Sequence, residues 1–411
     1  MALRFADGFD QYNLSADSGA NANAAASDEL TRWWTQTYAR GALDAFGTSS
    51  YATVNPAGRR GGQCIRFEGF IEASPLSRVL PDFSGATGVA GFAFRGVPNI
   101  NGTGGWGSIL QNNEGSLYPG AGGPFANASN FLCSFRYKGY NQLAVGLTSN
   151  GRLEVMYSSH VFGADNLTVF QDDPSAVIGT TTNALQFDTW HYIEVKVLTH
   201  LSTGTVELRV DGDVWLTLTG VRTCGELAGI DEIVIGKNVA NATGNASWLF
   251  DDLYVLDTAA DTDNDLVTFL GDVAIEWQAP ATDGDVNNWT PSSGAQRYAM
   301  VDETGPDDDT TYIQSDTAGH VQTFTSGGSP ISGATILAAA VMFLARRTEG
   351  GPSSTRPVVR IAGTTYELGA AKGNTTSYSY QAGFFNKLPS DHSAITEAAF
   401  AALQPGVKKV T

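Results

Sequence analysis

Two pairs of adjacent acids, Asp231-Glu232 and Asp251-Asp252, come nearest in this sequence to the paired carboxylates of general acid–base chemistry. Cleaving a glycosidic bond needs two carboxyl groups facing one bond, roughly 5 to 10 Å apart, one as acid and one as base or nucleophile. Side chains alternate between the faces of a strand, so sequence neighbours point apart and cannot flank one bond. Neither pair meets the requirement. The five histidines, His160, His191, His200, His320 and His392, show no His-Glu-x-x-His or other metal spacing, and His191 beside Trp190 reads as a sheet-surface residue. No Gly-x-Ser-x-Gly elbow, phosphate-binding loop or dinucleotide fingerprint accompanies them.

Asp261, Asp263 and Asp265 place three carboxylates at alternate positions, as the start of an EF-hand loop does. Leu266 then stands where the loop needs glycine, and Asp272 where it needs a bidentate Glu. No cofactor is implied; calcium at a site of another kind stays open, with these three aspartates as its weak candidates. Sugar rings stack on flat apolar faces, and two loop aromatics are candidates for that role. Trp106 lies in Gly104-Gly105-Trp106-Gly107, where its neighbours cannot shield it, and Tyr118 lies in Leu117-Tyr118-Pro119-Gly120. The structural alternative for each is a ring tucked inward to anchor its loop.

The elements that must position such residues are strands. The chain has 411 residues, 47 of them Gly, with 10% aromatic and only 16% charged, which favours turns and bulky strand formers over exposed helix faces. That length exceeds what one core usually serves, so two domains are expected, 1–260 and 261–411, meeting at an Asp-rich run over 257–265 that lacks apolar periodicity. A net charge of −18 argues against nucleic acid, whose phosphates need clustered Lys and Arg. Cys64, Cys133 and Cys224 are too few and too scattered for a disulfide framework. Residues 1–10 carry no basic region followed by an apolar stretch, and the longest apolar run, 336–345, is too short to span a bilayer, so cytoplasmic synthesis without membrane insertion is expected.

Strand candidates at 63–67, 89–95, 131–137, 142–147 and 152–157 are separated by Gly-, Asn- and Pro-rich turns. The clearest segment is 190–221, where Tyr192, Glu194 and Lys196 alternate with Ile193, Val195 and Val197, and Asp211-Gly212 turns one strand into the next. Strands at 232–235 and 248–256 come after it. These residues resemble the second half of a concanavalin-like, laminin-G-like jelly roll: Trp190-His191-Tyr192 leading a core strand, the hairpin at Asp211-Gly212, then Ile233-Val234-Ile235-Gly236, then Phe250-Asp251-Asp252-Leu253-Tyr254-Val255. The resemblance implies an all-β, N-terminal jelly-roll sandwich. Its glucanase members carry Glu-x-Asp-x-x-Glu or Glu-x-Asp-x-Glu, and neither string occurs here, so the protein is expected not to be an enzyme.

Beyond 261 a second, smaller β-sandwich is expected from strand candidates at 273–277, 296–301, 311–315, 321–324, 336–345, 356–361 and 364–368. The stretch 336–345 reads as a central strand buried on both faces, and 393–403 as a helix capped by Ser393 or Thr396 and stopped by Pro405-Gly406. The opening Phe5-Ala6-Asp7-Gly8-Phe9-Asp10, the Asp-rich connection over 257–265 and the closing Gly406-Val407-Lys408-Lys409 are similar in layout to virion proteins of tailed bacteriophages. That likeness implies a tail-fibre, tail-tip or capsid-surface component located on the virion. Other virion proteins and a host-surface glycan or receptor would be its partners, in a homo-oligomer that by analogy with fibres is a trimer. The alternatives are a cellular carbohydrate-binding or adhesion module and a glycoside hydrolase on this fold.

Overall fold

The computed structural model describes the chain apart from residues 13–31, 33, 35, 38–49, 56–57, 70–73, 81–82, 84, 99–129, 139, 149, 158–160, 163–167, 170–176, 226, 238–245, 259–261, 267, 304 and 329–332. Alternation of apolar and polar residues along the first 257 positions produces two antiparallel sheets facing each other in a jelly-roll sandwich. The front sheet runs Asp213–Val221, Gly204–Val210, His191–Leu198, Thr87–Pro98, Ala246–Asp257, Cys64–Gly69 and Ser50–Asn55, with Ala2–Asp7 also paired to Ala246–Asp257. The back sheet runs Val177–Ala184, Arg152–Tyr157, Tyr140–Leu147, Asn130–Tyr137, Glu232–Lys237, Ser74–Val79 and Gln36–Thr37.

Inward-facing residues of both sheets make one core. Phe92, Phe94, Ile193, Val195, Trp248 and Phe250 of the front sheet meet Phe135, Val145, Val155, Ile233 and Ile235 of the back sheet. Phe250 is its hub, with ring centroids 5.4 Å from Phe67, 5.5 Å from Phe92 and 5.3 Å from Phe94. The expected hairpin forms: Asp211 and Gly212 take φ of 52° and 86°, the left-handed pair that a two-residue turn demands.

Residues 280–409 build a second set of antiparallel strands. Pro280–Asn287, Val321–Ser326, Gln404–Lys409, Ser354–Ile361 and Thr364–Glu367 line up in one sheet, with Lys372–Gly373 also on Ser354–Ile361, and Ala339–Ala345 pairs with Ser379–Phe385 in a smaller one. A small core of Val341, Val359, Leu368, Phe385, Leu388, Ile395 and Leu403 lies between them.

Several expectations change here. Residues 273–277 join no sheet, and 298–300 form a 3-10 turn where a strand was expected. The apolar run 336–345 is a strand only over Ala339–Ala345; among the described residues it has one neighbour, and apart from Val341 its members are half-buried or exposed. The helix shrinks to Glu397–Ala401, capped by Thr396 Oγ1 accepting from Ala399 N at 3.1 Å, because Pro405 and Gly406 already belong to a strand. Cys64, Cys133 and Cys224 are buried free thiols. Among the described residues no helix is long and apolar enough to cross a membrane.

Replacing Phe250 by Ala removes the hub of the aromatic core and is expected to cost about 3–5 kcal/mol, whereas Val214→Ala, at an exposed position, is expected to change stability by less than about 0.5 kcal/mol. Urea unfolding of the two variants checks this; equal losses would show that the core is not organised around Phe250.

Candidate functional site

The outer face of the front sheet is covered by the chain that leaves it. Leu266, Phe269, Leu270, Val273 and Ile275 pack over Val89, Ala93, Tyr192 and Tyr254. Among its described residues this covering chain joins no sheet over 265–279, so their backbone N–H groups need other partners. Side chains of the sheet supply them. Asp252 Oδ1 accepts from Ile275 N at 2.7 Å, Glu194 Oε1 from Gly271 N at 2.8 Å, and Tyr254 Oη from Leu270 N at 3.1 Å. Arg59 lies over the Tyr192 ring, 5.0 Å from its centroid, pairs with Asp252 and Asp272, and donates to Val273 O.

Asp251 and Asp252 do not point to opposite faces. A bulge shifts the register between Asp251 and Tyr254, and Asp252 takes φ of 49°. Asp251 is paired with Ala93, and Asp252 turns to Arg59 and Ile275, so both carboxyls sit on the covered outer face. Burial and then their mutual repulsion push Asp251 up to about 8; burial raises Asp252 to about 6, with Ile275 N and Arg59 opposing. With 5% exposure each, under a covering backbone, they hold structure together and do not face a sugar. Asp7 plays a similar part further along: its buried carboxylate accepts from Phe9 N, Gln11, Tyr12 and Trp34, and burial raises it to about 6. Gly8 beside it is obligatory, since a Cβ there would lie 2.1 Å from Ile275 O.

His191 and His392 are likewise engaged. His191 accepts from Gln186 N at Nε2, which leaves Nδ1 to donate to Asp211 at 2.7 Å; a ring used at both nitrogens is no free base. Asp263 contacts His392 at 2.5 Å, and Asp265 binds Lys387 at 2.5 Å, which with Asn386 holds its carboxyl below the usual range. These two calcium candidates are thus engaged by residues 386–392, and Asp261 lies outside the described residues. Among the described residues no group of three or more His, Cys, Asp or Glu side chains is arranged to hold a metal ion. Trp106, Tyr118 and His160 also lie outside the described residues.

A cleft opens where the covering chain reaches the second set of strands. Its volume is about 1440 Å³, and it runs from Asp7 and Gly8 past Trp277 to Ala339–Ala345 and Ser353. Its wall is aromatic, with Trp277, Trp289, Tyr312, Phe343, Tyr380 and Phe384 along it. Trp277 Nε1, Gln278 Oε1 and Arg347 Nε are buried without a hydrogen-bond partner among the described residues. At one mouth, Tyr378 carries Arg346 and Arg32 against its ring, while Asp309 and Asp308 hold those two guanidiniums. Sequence reading missed this cleft because its rings come from segments distant in the chain; Trp277 falls inside the strand expected over 273–277, where nothing marks it as a cleft residue.

The chain matches no family model and no curated protein. Some solved structures are similar in outline over about half of this chain. The endo-β-1,4-glucuronan lyase of the fungus Trichoderma reesei is 13% identical, with 56% of this chain and 92% of that chain covered at a TM-score of 0.36. An alginate lyase from Aplysia kurodai is 9% identical over 51% and 87%, at 0.31. A carbohydrate esterase from the Shiga toxin-encoding bacteriophage phi24B is 15% identical over 54% and 95%, at 0.28. The expectation that the protein is not an enzyme is corrected at this point. Structures of this outline include lyases and an esterase, and the missing glucanase strings speak only to glycosidase chemistry.

Because Asp251 and Asp252 titrate higher in the fold than their ordinary value of 3.8, their contribution to stability is complete below pH 3.8 and is lost as pH rises through about 6 to 8. The thermal midpoint is therefore expected to fall between pH 5 and pH 9, and Asp251→Asn to flatten that slope. A slope unchanged in the variant would show that the pair does not carry it.

Proposed function

We propose that this protein engages carbohydrate in the cleft between its jelly roll and the strands of residues 280–409. The observation that supports this is the lining itself: six aromatic side chains, Trp277, Trp289, Tyr312, Phe343, Tyr380 and Phe384, with polar side chains such as Gln314, Thr355 and Asn374 among the lining residues. A pyranose presents apolar C–H faces and a belt of hydroxyls, so it suits a wall that mixes aromatic rings with polar side chains. The volume of about 1440 Å³ exceeds the roughly 300–1,000 Å³ of ordinary small-molecule pockets and suits several sugar units in a row. Glu303, Asp307 and Asp309 in the lining disfavour a polyanion, which points to a neutral glycan.

A second reading places the protein on a virion, as a tail-fibre, tail-tip or capsid-surface component among other virion proteins, with glycan binding as its receptor contact. It is supported by the likeness in layout of the opening Phe5–Asp10 motif, whose Asp7 and Gly8 reach the cleft. Detection of the protein on purified particles, with its oligomeric mass in solution, tests this placement.

For the cleft, affinity electrophoresis against neutral and uronate-containing polysaccharides is expected to show retardation by a neutral glycan. Trp277→Ala is expected to weaken that binding about tenfold, the loss of one stacking contact of about 1.4 kcal/mol. Retardation equal in wild type and variant, or absent for every neutral glycan, refutes the cleft as the binding site.

A further inference from the structure

The cleft lining also holds a polar group made of Ser353, Thr355, Asn374 and Lys409. Thr355 and Lys409 are paired across the larger sheet, and Gln381 reaches Thr355 from the smaller one. Lys409 is 7% exposed and is the last residue of its strand. Its Nζ lies 2.6 Å from Ser353 Oγ, its one hydrogen-bond partner among the described residues. Three N–H groups with a single hydroxyl to serve are a poor home for an ammonium, and burial lowers the Lys409 pKa, against an opposing effect of Asp316. Ser353 is oriented from a second side, since Asn374 Nδ2 donates to its Oγ at 3.1 Å. Asn374 is itself fixed by Thr355 and Gln381 at 2.8 and 2.7 Å. Arg347 brackets the pair: its guanidinium donates to Gly351 O, two residues before Ser353, and its N–H to Thr375 O, one residue after Asn374. Its Nε–H is without a partner among the described residues, and Ser353, Lys409, Asn374 and Arg347 all line the cleft.

We propose that Ser353 and Lys409 form a nucleophile–base dyad that removes O-acyl groups, such as acetyl, from the glycan held in the cleft. The substrate class rests on the carbohydrate reading above; the dyad rests on its own geometry. The neutral Lys409 amine takes the Ser353 hydroxyl proton as Oγ bonds to the ester carbonyl carbon. The bond from carbonyl carbon to sugar oxygen then breaks, and the Lys409 ammonium returns the proton to the departing sugar hydroxyl. Water next attacks acyl-Ser353 while giving a proton to Lys409. Oγ leaves, recovers that proton, and free carboxylic acid is released with the dyad restored.

The test uses the full chain with a fluorophosphonate probe, 4-nitrophenyl acetate and acetylated xylan. The probe is expected to add its phosphonyl mass to the peptide containing Ser353. Lys409→Met is expected to slow both labelling and acetate release at least 100-fold, the usual worth of a general base, and Ser353→Ala to abolish both. A folded wild-type protein unlabelled at Ser353, or labelling as fast in a Lys409→Met variant whose circular dichroism is unchanged, overturns the dyad. The labelling of wild type needs no variant to fold. Ser353→Ala retaining glycan retardation supports the dyad acting on a bound glycan. Turnover of 4-nitrophenyl acetate without binding or deacetylation of acetylated xylan leaves the dyad standing and overturns the assignment to this glycan class.

Discussion

The structure depends on how an irregular stretch of backbone is satisfied on top of a sheet. Over 265–279 the described residues join no strand ladder, yet they seal the outer face of the front sheet. A buried N–H left unpaired costs about 1–3 kcal/mol, so a covering chain of this length stays only if the surface beneath it offers acceptors. Glu194, Asp252 and Tyr254 are those acceptors, and Arg59 donates to the same chain. They do for this segment what a neighbouring strand does elsewhere.

That seam explains why acidic residues lie buried on a sheet face. Burying Asp251 beside Asp252 raises both, and the protein tolerates this because each carboxyl gains backbone donors: Arg59 N and Asp252 N for Asp251, Ile275 N for Asp252. The bulge that brings the two to one face also sets Asp252 in a left-handed conformation, a local strain held by the surrounding bonds. At the far end of the seam, the close approach of Ile275 O to Gly8 fixes the exit of the chain. Trp277 and Gln278 come directly after it and enter the cleft, so the geometry of the cleft is inherited from the buried acids.

The sandwich was legible in the sequence because period-two alternation survives wherever one strand face meets the core and the other does not. The hairpin at Asp211-Gly212 and the strand Arg152–Tyr157 have the extents read from their residues. The reading failed where that premise lapses. At Asp251-Asp252 a bulge breaks alternation, which no pattern of residue types announces. At 336–345 a continuous apolar run suggested a strand buried on both faces, whereas half-exposed residues here line a cleft, an environment equally apolar. The C-terminal run 393–403 has helical composition, but the strand beginning at Gln404 ends the helix within five residues.

The candidate site was less legible, for a reason that lies in chain topology. Its rings come from residues 277, 289, 312, 343, 380 and 384, and no two of the six stand closer than four positions in sequence, so no local motif could name them. The same holds for Ser353 and Lys409, 56 residues apart and joined only because Ser354–Ile361 and Gln404–Lys409 are neighbours in one sheet. In sequence the lysine is one of two adjacent lysines in the closing Gly406-Val407-Lys408-Lys409. Strand pairing instead turns Lys408 outward to Glu367 and Lys409 inward to Ser353. Two identical, adjacent residues therefore acquire opposite environments, one an exposed ion pair and the other a buried amine with a single hydroxyl. That difference comes entirely from the alternation of a strand, the same rule that made the rest of the fold readable.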